Sequence, residues 1–494
     1  MLRGTLRALD AEQIDRLHDG ALQVLERTGL QIQGEFLLRV LADAGCRVDF
    51  GQHRAWFRPD LVERQIEAQR DRYKMVRSSL WHPFCRETPA DGIAAPEAFT
   101  VDYGFATPWI FDYPLRRYRK PTVEDQVDMI RLGQALPSVA AVNAPLICGD
   151  FDPRIEIIES ARLLLLNTTK PGWVGTSSGR EVKYLAELAN LVVGGDRERL
   201  RTCPPIFVAA YCTTSPLKLD TRSCEVLEEA LKYGFPVNFA PMPILGATSP
   251  ITPAGSAVVA AAEILGCMTA TTLLDPDVFY FSTSISAEMD MRTTQIRFCT
   301  PSAILTDVAL HQLFREKYGL VHNVEPAYVE AKTPGIQAAT MKVFRQMAFG
   351  STVSLPLAIG ALDNAAVFSP TQAMIDLEVN EAMHRFHRGM EVNDETLCLD
   401  LISELEFCTA RTYLESEHTL KHFRNLGWNP RLFDRTACDH TAPVSLGDEK
   451  LLDEADRMWR ELVAGQPPVE REKGFSAELE RIVESARGEL LRDT

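Results

Sequence analysis

No Cys-x-x-Cys pair occurs in this chain although it holds 11 cysteines, so neither a zinc ribbon nor a redox-active dithiol is encoded. Scattered thiols in so long a chain point to a reducing compartment rather than a disulfide scaffold. A Gly-x-Gly-x-x-Gly turn, a Gly-x-x-x-x-Gly-Lys-Ser/Thr loop and a His-Glu-x-x-His helix are all missing. Their absence sets aside the familiar dinucleotide, nucleoside triphosphate and zinc-peptidase sites. Positive charge is in deficit, 52 Lys and Arg against 68 Asp and Glu, for a net charge of −16. Such a surface repels phosphate backbones and argues against nucleic acid as a partner. The least polar stretch, 254–274, contains Glu263 and is rich in Ala, Gly and Thr, which suits a buried helix better than a membrane span. Residues 1–7 show no apolar core or cleavage site of a secretory signal, so a cytoplasmic location without a membrane partner is expected.

What is present is alternation. Residues 1–96 read as a helical segment. Asp10 with Gln13 forms a capping box ahead of an apolar stripe of Ile14, Leu17, Leu22 and Leu25; a second helix ends at Gly45 and a third opens at Pro59. From residue 97 to 365, short apolar or β-branched runs alternate with helical stretches: 99–104, 140–147, 172–176, 206–211, 237–242, 278–283, 320–325 and 352–359. Several are apolar on both faces, as strands covered on both sides are. Eight strand–helix units with right-handed crossovers predict an α/β fold, a (β/α)8 TIM barrel, over an open doubly wound sheet. Residues 366–494 read as a C-terminal helical extension.

A barrel places its chemistry at the C-terminal ends of its strands. Those ends carry aromatic and soft side chains but few acid–base groups. Ring faces attract quaternary ammonium, at roughly 0.5–2 kcal/mol per contact, and Tyr103, Phe105, Trp109, Tyr211, Tyr280 and Phe281 are candidates against the plainer reading of barrel packing. After the sixth run, Arg292 is placed to grip a carboxylate while Asp290 orients it or faces a cation; a loop ion pair is the alternative. His418 and His422, four apart on a helix, lack a third ligand, so no directly bound metal is expected.

Pro241-Met242-Pro243, Gly246-Ala247-Thr248-Ser249-Pro250-Ile251-Thr252 and Met289-Asp290-Met291-Arg292-Thr293 together resemble the trimethylamine methyltransferase family. So do Glu391-Val392-Asn393-Asp394-Glu395-Thr396-Leu397, His418-Thr419-Leu420-Lys421-His422-Phe423-Arg424 and Arg431-Leu432-Phe433-Asp434-Arg435. Part of that family carries pyrrolysine in the barrel mouth. This chain, written in standard residues, passes through Ala331-Lys332-Thr333-Pro334-Gly335-Ile336-Gln337 near that place and resembles the branch without it, whose members demethylate quaternary amines such as glycine betaine.

The resemblance implies transfer of a methyl group from a betaine-type quaternary amine to Co(I) of cobalamin, a corrinoid supplied by a separate small protein. It implies catalytic roles for Asp290, Arg292 and Glu330. Substrate contacts would come from Tyr103, Phe105, Trp109, Tyr211, Met242, Phe281 and Gln337, and a contact to the cofactor from His418. A homo-oligomer is a further expectation. Glu330 stands where the family pattern has Asp, and Ser416-Glu417-His418 where it has a His-Pro-His run. Two alternatives stay open: a barrel lyase or hydrolase using Glu325, Glu330 or Lys332, and a betaine-binding barrel without catalysis.

Overall fold

The first helix, Ala11–Arg27, opens on a reciprocal cap. The Gln13 amide donates to Asp10 Oδ1 at 2.8 Å and the Asp10 amide to Gln13 Oε1 at 2.9 Å. Ile14, Leu17, Leu22 and Leu25 are buried as a single stripe, and Glu35–Asp43 and Pro59–Val76 follow as the sequence predicts. The segment is not purely helical, however. Leu30–Ile32, Arg47–Asp49 and Arg54–Trp56 form an antiparallel sheet, and Leu30–Ile32 also pairs in parallel with Lys218–Leu219. Strands three residues long carry too little alternation to announce themselves.

This computed structural model describes residues 7–76, 101–176, 178–208, 211–352, 357–387, 390–406, 411–426, 428–435 and 447–492. Parts of the predicted segments, residues 77–100, 209–210 and 353–356 among them, lie outside the described residues. Seven of the predicted runs contain the strands Val101–Asp102, Gly172–Val174, Ile206–Val208, Val237–Phe239, Tyr280–Ser284, His322–Val324 and Leu357–Ala358. The run 140–147 is joined on both sides by backbone bonds: Asn143 N–H donates to Tyr103 O at 3.1 Å, and Val142 N–H to Pro171 O at 2.8 Å.

Neighbouring runs are linked in parallel, in sequence order, from the first to the seventh. The links run through the Val101–Val139 bridge, the Gly172–Ile206 register, the Tyr211–Phe239 bridge, Val237–Tyr280 and Ser282–His322. The last run returns to the first, Leu357 opposite Val101 and Ala358 opposite Asp102. Among the described residues no ladder joins His322–Val324 to Leu357–Ala358. A helix follows each run, from Val123–Ala135 through Ile336–Thr352 to Pro370–His387. The seventh of these extends to Thr352, so Thr352 belongs to a helix rather than to the start of the eighth strand.

The apolar stretch forms the helix Pro253–Leu274, long and apolar enough to cross a membrane but mostly buried within the fold, packed against Ala11–Arg27, Pro59–Val76 and Pro301–Gln312. Its one acid has a structural use. Buried Glu263 accepts from the Leu217 amide at 2.8 Å and the Ser215 hydroxyl at 2.9 Å, and also from Thr213, anchoring the loop beyond the fourth run. Helices Gly447–Gly465 and Phe475–Leu490 pack on the helix layer and join the main core through Trp459, Leu479 and Ile482. Within the C-terminal extension, the helices Asp394–Leu397 and Leu399–Leu405 are separated at Cys398, whose φ is +51°.

Two glycines let the run 140–147 lie close to both neighbours. A Cβ on Gly172 would stand 1.9 Å from Val142 O; one on Gly104, where φ is +94°, would stand 2.4 Å from Asn143 O. Gly172→Ala must therefore push two backbone segments apart, at a cost of about 1–3 kcal/mol. Urea unfolding is expected to show a lowered midpoint for this variant; an unchanged midpoint would show that the seam is not tight.

Candidate active site

Two carboxylates stand at the ends of the first and seventh runs. Asp102, buried, accepts from the Tyr103 amide at 3.0 Å and from Asn143 Nδ2 at 3.2 Å, and Asn143 Oδ1 in turn accepts from the Trp173 amide at 3.3 Å. Burial pushes the Asp102 carboxyl up to about 7, the two hydrogen bonds offsetting only part of the effect. Burial, and secondarily the charge of Asp102, pushes Glu325 up to about 8. Two carboxylates that sense each other in a poorly solvated site do not both ionise readily, so the pair retains a proton near neutral pH.

Arg345 supports this corner from the helix Ile336–Thr352. It is fully buried, its Nη2 donates to Glu325 O at 2.6 Å and its Nη1 to Phe298 O at 2.6 Å, and it lies 3.5 Å from Asp307. Its donors are committed to the main chain, so it fixes the backbone under Glu325 instead of facing a ligand.

The face that carries the pair is settled by register. Val237, Phe239, Tyr280 and His322 share the face turned towards the helices, where His322 stacks on Phe314 with ring centres 4.8 Å apart. Alternation turns Asn238, Phe281, Thr283, Asn323 and Glu325 the other way, and Asn238 and Thr283 bond to each other there at 3.2 Å. Asn323 is 7% exposed and its Oδ1 has no hydrogen-bond partner among the described residues. Tyr328 links two apolar clusters, packing on Phe298 with ring centres 4.7 Å apart and meeting Met242 in one cluster and Phe105 in the other. Burial, Glu325 and Cys212 all raise its phenol, which sets these three side chains in one neighbourhood. Cys212 is an exposed residue whose thiol is nonetheless pushed up by burial, as on the wall of a recess.

Of the residues proposed from sequence, Phe105 and Met242 each pack against an apolar cluster that also holds Tyr328, and Phe281 is buried beside Phe279, ring centres 5.9 Å apart. Tyr103 and Tyr211 are placed elsewhere. Tyr103 is wholly buried against the helix Val123–Ala135 and donates to Met129 O at 2.6 Å; Tyr211 packs on Phe239, ring centres 6.1 Å apart. Trp109 is 38% exposed and its ring already carries Lys120 Nζ at 4.0 Å. Asp290 closes its own hairpin. It accepts from the Arg292 amide at 2.8 Å and pairs with Arg297, while Arg292 is exposed. Glu330 accepts from the amides of Phe298 and Cys299, and Gln337 is exposed on its helix. The His418 ring lies 4.5 Å from that of His422, its Nε2 buried without a partner among the described residues. Sequence reasoning missed Asp102, Asn143, Asn323 and Tyr328, and considered Glu325 only under an alternative chemistry. The detectable signal was an acid ending an apolar run, at Val101-Asp102 and again at Val324-Glu325.

The raised carboxyls predict a pH-dependent stability. The folded state binds protons here more tightly than the unfolded chain, so the stabilising contribution is complete below about pH 4 and is lost as pH rises through about 7 to 8. Chemical unfolding at a series of pH values is expected to show a steeper loss of stability across that window for the native chain than for Asp102→Asn/Glu325→Gln. Parallel profiles would mean that neither carboxyl is perturbed.

Comparison with known proteins places these features in context. A family model described as trimethylamine methyltransferase matches residues 3–490. The chain is 29% identical over 439 residues to a trimethylamine methyltransferase of Desulfitobacterium hafniense, covering 87% of this chain and 84% of that one. It is 23% identical over 483 residues to a glycine betaine methyltransferase of the same species, covering 96% of each. A crystal structure of the Methanosarcina barkeri monomethylamine methyltransferase has a similar fold, with a TM-score of 0.50 at 12% identity over 99% of this chain and 88% of that one.

Proposed function

The chain belongs to the trimethylamine methyltransferase family, and from that premise we propose that it demethylates a quaternary amine and delivers the methyl group to a corrinoid on a separate small protein. The eight runs close as a (β/α)8 barrel over 97–365, with 1–96 and 366–494 as flanking segments, and the enzyme works in the cytoplasm. The observation that carries the reading is the Asp102–Glu325 pair, set with Phe105, Met242 and Tyr328 at the strand ends.

Chemistry favours a quaternary donor. When the N–CH3 bond breaks, its electron pair stays on nitrogen and a neutral tertiary amine leaves, so no proton donor is required. The corrinoid, as co-substrate, supplies the two-electron nucleophile that accepts the methyl group. The chain's own residues bind and aim the cation: the carboxylate pair balances its charge, Phe105, Tyr328 and Met242 pack against its methyl groups, and Phe281 lines the interior. Exclusion of water strengthens each of these contacts. Trp109, Asp290, Arg292, Glu330 and Gln337 surround the site without entering it in this reading, and Tyr103 and Tyr211 hold the wall from outside. The Nε2 of His418, without a partner among the described residues, suits a contact with the incoming corrinoid.

The test mixes the purified protein with Co(I) cobalamin and a panel of quaternary amines, following the cobalt(I) spectrum and the released tertiary amine. Equal amounts of amine formed and cobalt(I) consumed are expected. No tertiary amine from any quaternary donor would refute the assignment, and turnover without corrinoid would favour acid–base chemistry at Glu325.

A further inference from the structure

The interior that would hold the substrate is rich in hydrogen-bond acceptors and poor in free cations. Glu325 senses the charge of Asp102, and Asn323, two residues before Glu325 on the same face of its strand, has in a side chain 7% exposed a carbonyl oxygen without a hydrogen-bond partner among the described residues. Such an orphaned acceptor is costly to bury unless a ligand donor meets it. The positive groups nearby are already committed. Arg345 gives its donors to Glu325 O and Phe298 O, and Lys332 pairs with Asp363. A ligand carboxylate entering this space would meet two carboxyl groups and no uncommitted guanidinium or ammonium among the described residues of the interior.

We propose that the site selects a quaternary ammonium whose remaining substituent is neutral and bears a hydroxyl, an amino alcohol of the choline class, in preference to a betaine. This rests on the quaternary-amine reading above and narrows it. The cation lies against the carboxylate pair and packs on Tyr328, while its hydroxyl donates to Asn323 Oδ1. Binding of such a cation expels the proton that Asp102 and Glu325 hold between them. Of the other groups around the pair, Arg345 is bound to the main chain, burial raises the Tyr328 phenol and the Cys212 thiol, and Asp307, whose carboxyl burial also raises, lies 3.5 Å from Arg345; the expelled proton passes to solvent. A betaine has the opposite requirement, because its carboxylate is tolerated only while the pair stays protonated.

Titration calorimetry on the full chain with choline, tetramethylammonium and glycine betaine distinguishes the two. Choline is expected to bind at least about tenfold more tightly than glycine betaine at pH 8.5, with an affinity that rises from pH 6.5 to 8.5 as the shared proton leaves. Asn323→Ser should bring choline down towards tetramethylammonium, and Arg292→Ala should leave the choline-to-betaine ratio unchanged. Tighter binding of glycine betaine, or a selective loss of betaine binding in Arg292→Ala, overturns the proposal while leaving quaternary-amine demethylation intact. Selective choline binding without methyl transfer to Co(I) cobalamin would instead uphold the selectivity and remove the transfer reading. A site that binds none of the three would refute both.

Discussion

Changing Asp102 to Asn and Glu325 to Gln together is expected to lower methyl transfer from any quaternary amine at least about a hundredfold. The amides keep the shapes and the acceptor oxygens that hold Tyr103, Asn143 and the Ala327 amide, the last donating to Glu325 Oε1 at 3.0 Å, so the fold is retained and only the charge is removed. A unit charge about 4 Å from a partner is worth on the order of 4 kcal/mol at an effective dielectric of about 20. Losing about two-thirds of that interaction corresponds to the hundredfold effect. The single variants should fall between, because either carboxylate alone supplies one negative charge. Initial rates of tertiary amine formation check this, and a double variant within about threefold of the native rate would remove the pair from the site.

The largest stability effect is expected away from the chemistry. Lys342 and Asp376 form an ion pair in which both side chains are almost inaccessible, and burial favours the neutral lysine while the aspartate holds it charged. Asp376 also accepts from the Gly360 amide at 2.8 Å and from Gln372 Nε2 at 2.7 Å, and Gln372 Oε1 accepts from the Gly335 amide at 3.0 Å. The network thus ties the end of the eighth run to the helices Ile336–Thr352 and Pro370–His387. Lys342→Met leaves a buried carboxylate without its counter-charge, which costs about 3–5 kcal/mol. The paired change Lys342→Met/Asp376→Leu removes the charge as well and should recover much of that loss. Urea unfolding of the three proteins decides the matter: a Lys342→Met variant within about 1 kcal/mol of the native chain would show that the pair contributes little.

The sequence announces its architecture better than its site. Each of the eight apolar runs meets an extended or parallel-paired segment, and the cap at Asp10 and the helix start at Pro59 fall where side-chain chemistry predicts. Those features are local, so local pattern reveals them. The short strands at 30–32, 47–49 and 54–56 were missed because each is only three residues long, and the first is also held by a distant partner at 218–219. Asp290 and Glu330 look catalytic as isolated acids, but the structure gives their oxygens to backbone amides of their own or adjacent loops. Asp102 and Glu325, over 200 positions apart, acquire meaning only when the last run lies beside the first. No spacing rule carries that information. Even the aromatic reading was half legible: composition offered rings at the strand ends, and strand parity decided that Phe281 turns inward while Tyr280 turns towards the helices.

The reaction proposed here depends on a nitrogen that carries its charge before any proton is transferred. Supplying Co(I) cobalamin together with tetramethylammonium in one reaction and trimethylamine in another isolates that requirement, since the two differ by one methyl group and one charge and neither carries a tail. Tetramethylammonium should yield trimethylamine while trimethylamine itself yields no dimethylamine at any pH from 6 to 9. Dimethylamine formed from trimethylamine at a comparable rate would contradict the account, because the protein would then be activating a tertiary amine with a group that Asp102, Glu325 and their neighbours do not supply.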